Sequence, residues 1–300
     1  MWKIKVMIQF LLANLPGGMK INYYLQLLRG AHRKEKIYQL IPNRIRKLKL
    51  IDGYINIEGS SILEIGPGSL MSCNLLFYLM GAKKIFSYDH YNHAQFKFIK
   101  IQIKWLEDNI ELVESMTNIS ESILRSRLIK INSSNSLEQL FESANIVYKA
   151  PGDAQQTGLS NDSIDIVFST DVLEHVPEKT IYNITLESKR ILRSTGCAFH
   201  HIGLDDHYSY VSDISKVNFL KYPEWLWRLL VKNKISYHNR LREKEFFEIF
   251  KSCGSQVEVV FNKIDSNSLK ALKTMKINKR FSGMSHDELA IWASFVRLTF

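Results

Sequence analysis

Four short segments carry residues whose types and order suit a nucleoside ligand. Glu64, Ile65, Gly66, Pro67 and Gly68 place a carboxylate directly before a glycine-rich bend. Glycine lets the backbone turn sharply and approach a ligand with no Cβ in the way, and a helix starting just after such a bend points its N-terminus at the same spot. Asp89, followed by His90, closes the next apolar run, where an acid accepts hydrogen bonds from ribose hydroxyls. Gly152, Asp153 and Ala154 follow a third run, and Thr170, Asp171, Val172, Leu173, Glu174 and His175 close and follow a fourth. Histidines that could exchange a proton near neutral pH come later. His201 lies near the end of a fifth run, with alternation placing His200 on the opposite face. His207 has Asp205 and Asp206 beside it.

These residues need elements that bring them to one edge. From about residue 60, short apolar runs alternate with longer helical stretches, the pattern of a parallel sheet built from βαβ units. Strands are predicted at Ser61–Ile65, Lys84–Tyr88, Ile146–Ala150, Ile164–Thr170 and Cys197–Gly203, with helices through Met80, over Thr180–Leu192 and over Leu241–Cys253. Gln256–Ile264 and Phe295–Phe300 are β-prone and read as an antiparallel pair closing the sheet edge. The expected fold is α/β: a doubly wound, mostly parallel sheet with that closing pair, plus N-terminal helices and a helical insertion. Residues 1–59 form the N-terminal helical extension, broken near Pro16–Gly18 and at Pro42. Residues 60–300 form the main domain, with the insertion at 92–145 and an aromatic, lid-like region at 204–240.

Taken in order, EIGPG at 64–68, Asp89, GDA at 152–154 and DVLEHV at 171–176 resemble the Rossmann-like, class I S-adenosylmethionine-dependent methyltransferases of the type 11 kind. The resemblance covers roughly residues 60–203. It implies S-adenosyl-L-methionine as cofactor, bound by Glu64, Ile65, Gly66, Pro67, Gly68, Asp89, His90, Asp153, Ala154, Thr170, Asp171, Val172 and His175. A nicotinamide dinucleotide is the competing ligand. Its fingerprint asks for a third glycine where this chain has Met71, and Glu64 would repel a pyrophosphate while suiting a sulfonium and an ammonium.

Methyl transfer needs alignment above all, and a general base only for a poor nucleophile such as a hydroxyl. His201 is the first candidate base, followed by His207 with Asp206. Asp171, Asp205 and Asp206 offer hard oxygen ligands of the kind magnesium takes; loop acids are commoner than metal sites, and no metal is assigned.

Forty Lys+Arg against thirty Asp+Glu give a net charge of +10, which favours anionic partners. No RNA-recognition signature or zinc-finger spacing accompanies the charge, which argues against nucleic acid. The expected acceptor is a small molecule or saccharide, with a lipid-linked glycan as one form; an RNA methyltransferase and a catalytically silent cofactor-binding module are the alternatives. Cys73, Cys197 and Cys253 make neither a CxxC pair nor a zinc spacing, which fits a reducing cytoplasm. Residues 1–15 read as an amphipathic helix, either packed on the core or lying shallowly on a membrane. Oligomeric state is not written in the sequence.

Overall fold

The computed structural model describes residues 2–30, 32–231, 233 and 235–300; Met1, Ala31, Lys232 and Lys234, which fall in the N-terminal and aromatic regions named above, lie outside the described residues. In chain order the elements begin with helices α1 (Trp2–Ala13), α2 (Gly18–Leu28) and α3 (Lys34–Asp52). They continue with β1 (Ser61–Ile65), α4 (Ser72–Leu79), β2 (Lys84–Tyr88), α5 (Phe96–Asp108), α6 (Ile110–Thr117), α7 (Glu121–Asn132), α8 (Leu137–Ser143) and β3 (Ile146–Lys149). Then come β4 (Ile164–Thr170), α9 (Glu178–Ile191), β5 (Leu192–Gly203), α10 (Glu224–Val231), α11 (Glu243–Ser252), β6 (Gln256–Ile264), α12 (Ser266–Leu272), α13 (His286–Ala290) and β7 (Ile291–Thr299). The strands run in the order β3-β2-β1-β4-β5-β7-β6, mostly parallel with an antiparallel pair. That order is a doubly wound α/β sheet, as the alternating runs predict.

The chain divides into two compact units. One comprises Ala31–Thr170, Ile184–Phe199 and Thr299–Phe300. Here β1 pairs in parallel with both β2 and β4, and β2 with β3; Ile65 lies opposite Tyr88 on one side and Ser169 on the other. Four of the five residues of β1 are buried, because a central parallel strand is covered on both faces. Every residue of α4 is buried as well. The carboxyl ends of β1, β2 and β4 are thereby level, and strand order reverses at β1, the place where open α/β sheets bind ligands.

In the same unit, α3 runs through Pro42 without ending there, contrary to the break expected at that residue. Proline costs roughly 3 kcal/mol inside a helix. Ile37 and Ile41 before it, and Ile45, Leu48 and Ile51 after it, fall on one buried face. Each buried aliphatic contributes about 1.5–3 kcal/mol, so burial on both sides outweighs the lost hydrogen bond. Helices α5–α8 fill the long stretch between β2 and β3, as the sequence predicts for an insertion.

The other unit comprises Met1–Gly30, Asp171–Asn183 and His200–Leu298. Its core gathers Val6, Tyr208, Phe219, Trp227, Phe281 and Leu289, so α1 packs within this unit, with Trp2 against the rings of Tyr208 and Tyr222 at 6.0 and 5.6 Å. Two fully buried arginines brace it. Arg240 donates to the carbonyls of Phe219 and Tyr222 at 2.9 and 2.8 Å and pairs with Glu224. Arg242 donates to the carbonyls of Leu204, Leu289 and Ile291. Among the described residues no helix is long and apolar enough to cross a membrane.

Candidate functional site

The bend after β1 is held by its own backbone. Gly66 and Gly68 adopt φ values of 69° and 63°, the left-handed region that glycine enters without strain. A Cβ on Gly68 would meet no protein atom within 4 Å, so the space over this peptide is clear for a ligand. The Gly66 N–H donates to the Tyr88 carbonyl at 2.8 Å, and the Gly68 N–H donates to Asp89 Oδ2 at 3.1 Å. Asp89 Oδ1 accepts from the Tyr91 N–H at 3.2 Å. The acid closing β2 is thus tied to the bend closing β1. The Gly152 N–H donates to the Asp89 carbonyl at 2.8 Å, which brings the loop after β3 alongside.

Glu64 is fully buried at the end of β1 and accepts a hydrogen bond from the Asn74 amide of α4. Burial pushes its carboxyl up to about 8, with the nearby Arg44 guanidinium and the Asn74 amide opposing that rise and Asp89 adding to it. A cation brought beside this carboxyl would favour its ionised form. Arg44 and Lys47, both on α3, donate to the Thr170 hydroxyl at the end of β4, Lys47 at 3.3 Å. Sequence reading assigned Arg44, Lys47 and Asn74 no part in the cofactor site. The signal for them is helical spacing: positions 44 and 47 share a face of α3, which no motif announces.

The remaining residues of the expected cofactor set lie as follows. Ile65 is buried and Pro67 half-buried in the bend; His90 is exposed, its ring 4.4 Å from that of Tyr91. Asp153 is exposed and accepts from the Gln155 N–H at 2.9 Å, and Ala154 is half-buried. One cluster of the set therefore stands at the ends of β1, β2, β3 and β4.

In the other unit, Asp171 adopts φ 58°, rare for a residue with a side chain, and Val172 is half-buried beside it. Asp171 Oδ1 is 2.8 Å from Nδ1 of the buried His201. A carboxylate there can only accept, so Nδ1 carries the proton and the ring is fixed in one tautomer. That is the arrangement in which a carboxylate orients a histidine base. His200, on the opposite face, stacks on Phe250 at 5.9 Å, and burial pushes it down to about 4.

His207 begins a 3₁₀ turn, with Nε2 3.9 Å from Asp205 Oδ1. Burial pushes its imidazole down to about 4, so it is neutral at pH 7. Asp206 caps that turn, accepting from the Tyr208 N–H at 2.9 Å and from Asn218 at 3.3 Å, and burial pushes its carboxyl up to about 6. His175 donates from Nδ1 to the Tyr237 carbonyl at 2.9 Å. Of the aromatic stretch, Tyr208 and Trp227 are core residues, whereas Tyr210 and Trp225 are 64% and 67% exposed. Arg240 spends its guanidinium on the carbonyls of Phe219 and Tyr222 and on Glu224.

Comparison with known proteins adds one match to a family model. Residues 116–202 match the model described as a methyltransferase domain, and that domain implies S-adenosylmethionine as the cofactor. The matched segment begins beyond the glycine bend and Asp89 and includes Asp153, Ala154 and the 171–175 segment. No curated protein sequence matches the chain. Among solved structures, the S-adenosylmethionine-dependent methyltransferase of Mesorhizobium loti aligns with 12% identity over 85% of this chain and 97% of its own, with a TM-score of 0.44. The YcgJ protein of Bacillus subtilis aligns with 12% identity over 85% and 97%, also with a TM-score of 0.44.

Proposed function

We propose that this chain is an S-adenosylmethionine-dependent O-methyltransferase acting on a small-molecule or saccharide hydroxyl. The observation that carries the donor half is the buried Glu64 carboxyl beside an open glycine bend whose Gly68 amide is bonded to Asp89. The residues present fit the donor's groups. Glu64 suits its ammonium, Arg44 its carboxylate, Asp89 its ribose hydroxyls, and the bare Gly68 peptide lets it approach closely. When bound, S-adenosylmethionine supplies an electrophilic methyl group.

The residues of this chain do the rest. Glu64 and Arg44 hold opposite charges of one ligand end; Asp89 fixes the sugar; the Gly66–Gly68 backbone sets their spacing. His201, held in one tautomer by Asp171, removes the proton of an acceptor hydroxyl from its other nitrogen. The observation favouring a hydroxyl acceptor is this His201–Asp171 pair at 2.8 Å, since a hydroxyl is a poor nucleophile without a base, whereas a thiolate needs none. The exposed rings of Tyr210 and Trp225 offer stacking faces for a sugar. A lipid-linked glycan is the form of acceptor we favour, because α1 and α2 expose apolar side chains next to lysines.

Incubation with methyl-labelled donor and separate saccharide, lipid-linked glycan and RNA pools tests the assignment. Label is expected in a hydroxyl of the saccharide or lipid-linked pool. H201A is expected to lower turnover by about 10²–10⁴-fold, the usual worth of a general base, while donor affinity is kept. Label confined to RNA would overturn the acceptor assignment, and an unchanged rate in H201A would remove the base.

A further inference from the structure

Glu174, His175 and His207 bring one ligand atom each within 4.8 Å of one another. All three belong to the unit containing residues 200–298 and contribute from two neighbouring 3₁₀ turns, Leu173–His175 and His207–Tyr210. The surroundings are arranged as they are around a metal. His175 gives its Nδ1 proton to the Tyr237 carbonyl at 2.9 Å, which leaves the Nε2 lone pair for a cation. Donation of the other ring N–H to a carbonyl is the usual support for a metal-bound imidazole.

Glu174 is 1% exposed; Oε1 accepts from the Gly203 N–H at 3.2 Å, and Oε2 has no hydrogen-bond partner among the described residues. A buried carboxylate oxygen left unpaired calls for a bound ion or water. Gly203 keeps the spot clear, since a Cβ there would stand 2.7 Å from Glu174 Oε1 and 3.6 Å from His207 Nε2.

His238 completes the surroundings in a different role. Its Nδ1 accepts from the Arg240 N–H at 3.2 Å, so the proton of the neutral ring sits on Nε2. That buried Nε2 has no partner among the described residues. The His238 ring lies 4.9 Å from that of His207. His175, His207 and His238 line a cavity of about 130 Å³ with Asp206 and Lys5, which is room for an ion and an oxygen ligand rather than a whole sugar. His175 remains exposed on one side and gives the ion a way in.

We propose that Glu174, His175 and His207 form a binding site for a divalent transition metal, with the His238 Nε2–H donating to an oxygen ligand in its open position. Two imidazoles and one carboxylate suit zinc, iron, cobalt or manganese, whereas magnesium and calcium prefer an all-oxygen shell. The oxygen ligand is water or, resting on the methyl-transfer reading, an acceptor hydroxyl, which such a metal would acidify.

Full-length protein without an affinity tag, stripped with chelator, is titrated with cobalt(II) and with zinc(II) by calorimetry and visible absorption. One equivalent of cobalt is expected to bind and produce d–d absorption bands, and zinc is expected to displace it. H207A and H175A should lose both signals, and the conservative E174Q should weaken binding at least about tenfold, the order seen when a metal's supporting groups are removed. S-adenosylmethionine binding, measured on the wild-type and H207A samples, reports on the donor site, and circular dichroism of every variant reports on folding. Donor-competent wild type that takes up no cobalt or zinc would overturn the proposal. So would uptake unchanged in H175A and H207A, or stoichiometric binding of magnesium alone.

Discussion

Glu64 concentrates the electrostatic logic of the proposed donor crevice. Folded, it holds its proton up to about pH 8 because burial disfavours the carboxylate, against 4.5 ordinarily. Between those values the folded protein binds more protons than the unfolded chain, so the ligand-free protein loses stability as pH rises through that window. The loss is on the order of several kcal/mol for a shift of this size. Urea midpoints of wild type and E64Q without donor, compared at about pH 5 and about pH 8, read it out. Wild type is expected to lose stability over that range, and E64Q to lose much less. Equal slopes would mean that Glu64 is already ionised in the folded protein. Asn74 and Arg44 explain why the residue is tolerated there: an amide and a guanidinium offset part of the desolvation.

At the scale of elements, what could be read from sequence followed from period and turn chemistry. The five early strands, the glycine bend and the acid closing β2 all announce themselves, because a buried parallel strand is a short apolar run and the ligand sits at its end. In the structure, Ile65 opposite Tyr88 puts Gly66–Gly68 beside Asp89. What was not legible depends on packing between distant segments. Arg44 and Lys47 reach Thr170 only because α3 continues through Pro42, and that continuation rests on five aliphatics whose burial no local rule foretells. The Glu174–His175–His207 grouping joins turns about thirty residues apart in a chain that carries no metal-ligand spacing.

Residues 1–15 carry two readings from sequence, core packing and shallow membrane contact. Val6, Gln9 and Leu12 of α1 are buried, Gln9 accepting from the Tyr208 hydroxyl at 3.1 Å. Ile4, Met7, Leu11 and Leu15 are 55–62% exposed, and Tyr24 and Leu28 of α2 are 63% and 80% exposed. Exposed apolar side chains beside Lys3 and Lys20 make contact with an anionic lipid surface a testable reading. Flotation with anionic vesicles should carry the protein upward, and zwitterionic vesicles should carry less. I4E/M7E/L11E, all at exposed positions, should abolish flotation without unfolding the chain. Flotation that is absent in wild type, or undiminished in the variant, would remove membrane contact from the account.

For the whole molecule, the donor crevice is the claim on which the rest depends. The charge of +10, the histidines and the exposed apolar residues bear on acceptor and location, but they acquire a role in methyl transfer only if the donor binds. Calorimetric titration of ligand-free protein with S-adenosylmethionine, in parallel with D89A, is the most direct test. One donor per chain is expected to bind wild type. In D89A the affinity should fall by roughly tenfold to a hundredfold, since hydrogen bonds to a charged group are worth about 1.5–3 kcal/mol. Folded wild type that takes up no donor, or D89A that binds it as tightly as wild type, would contradict the account.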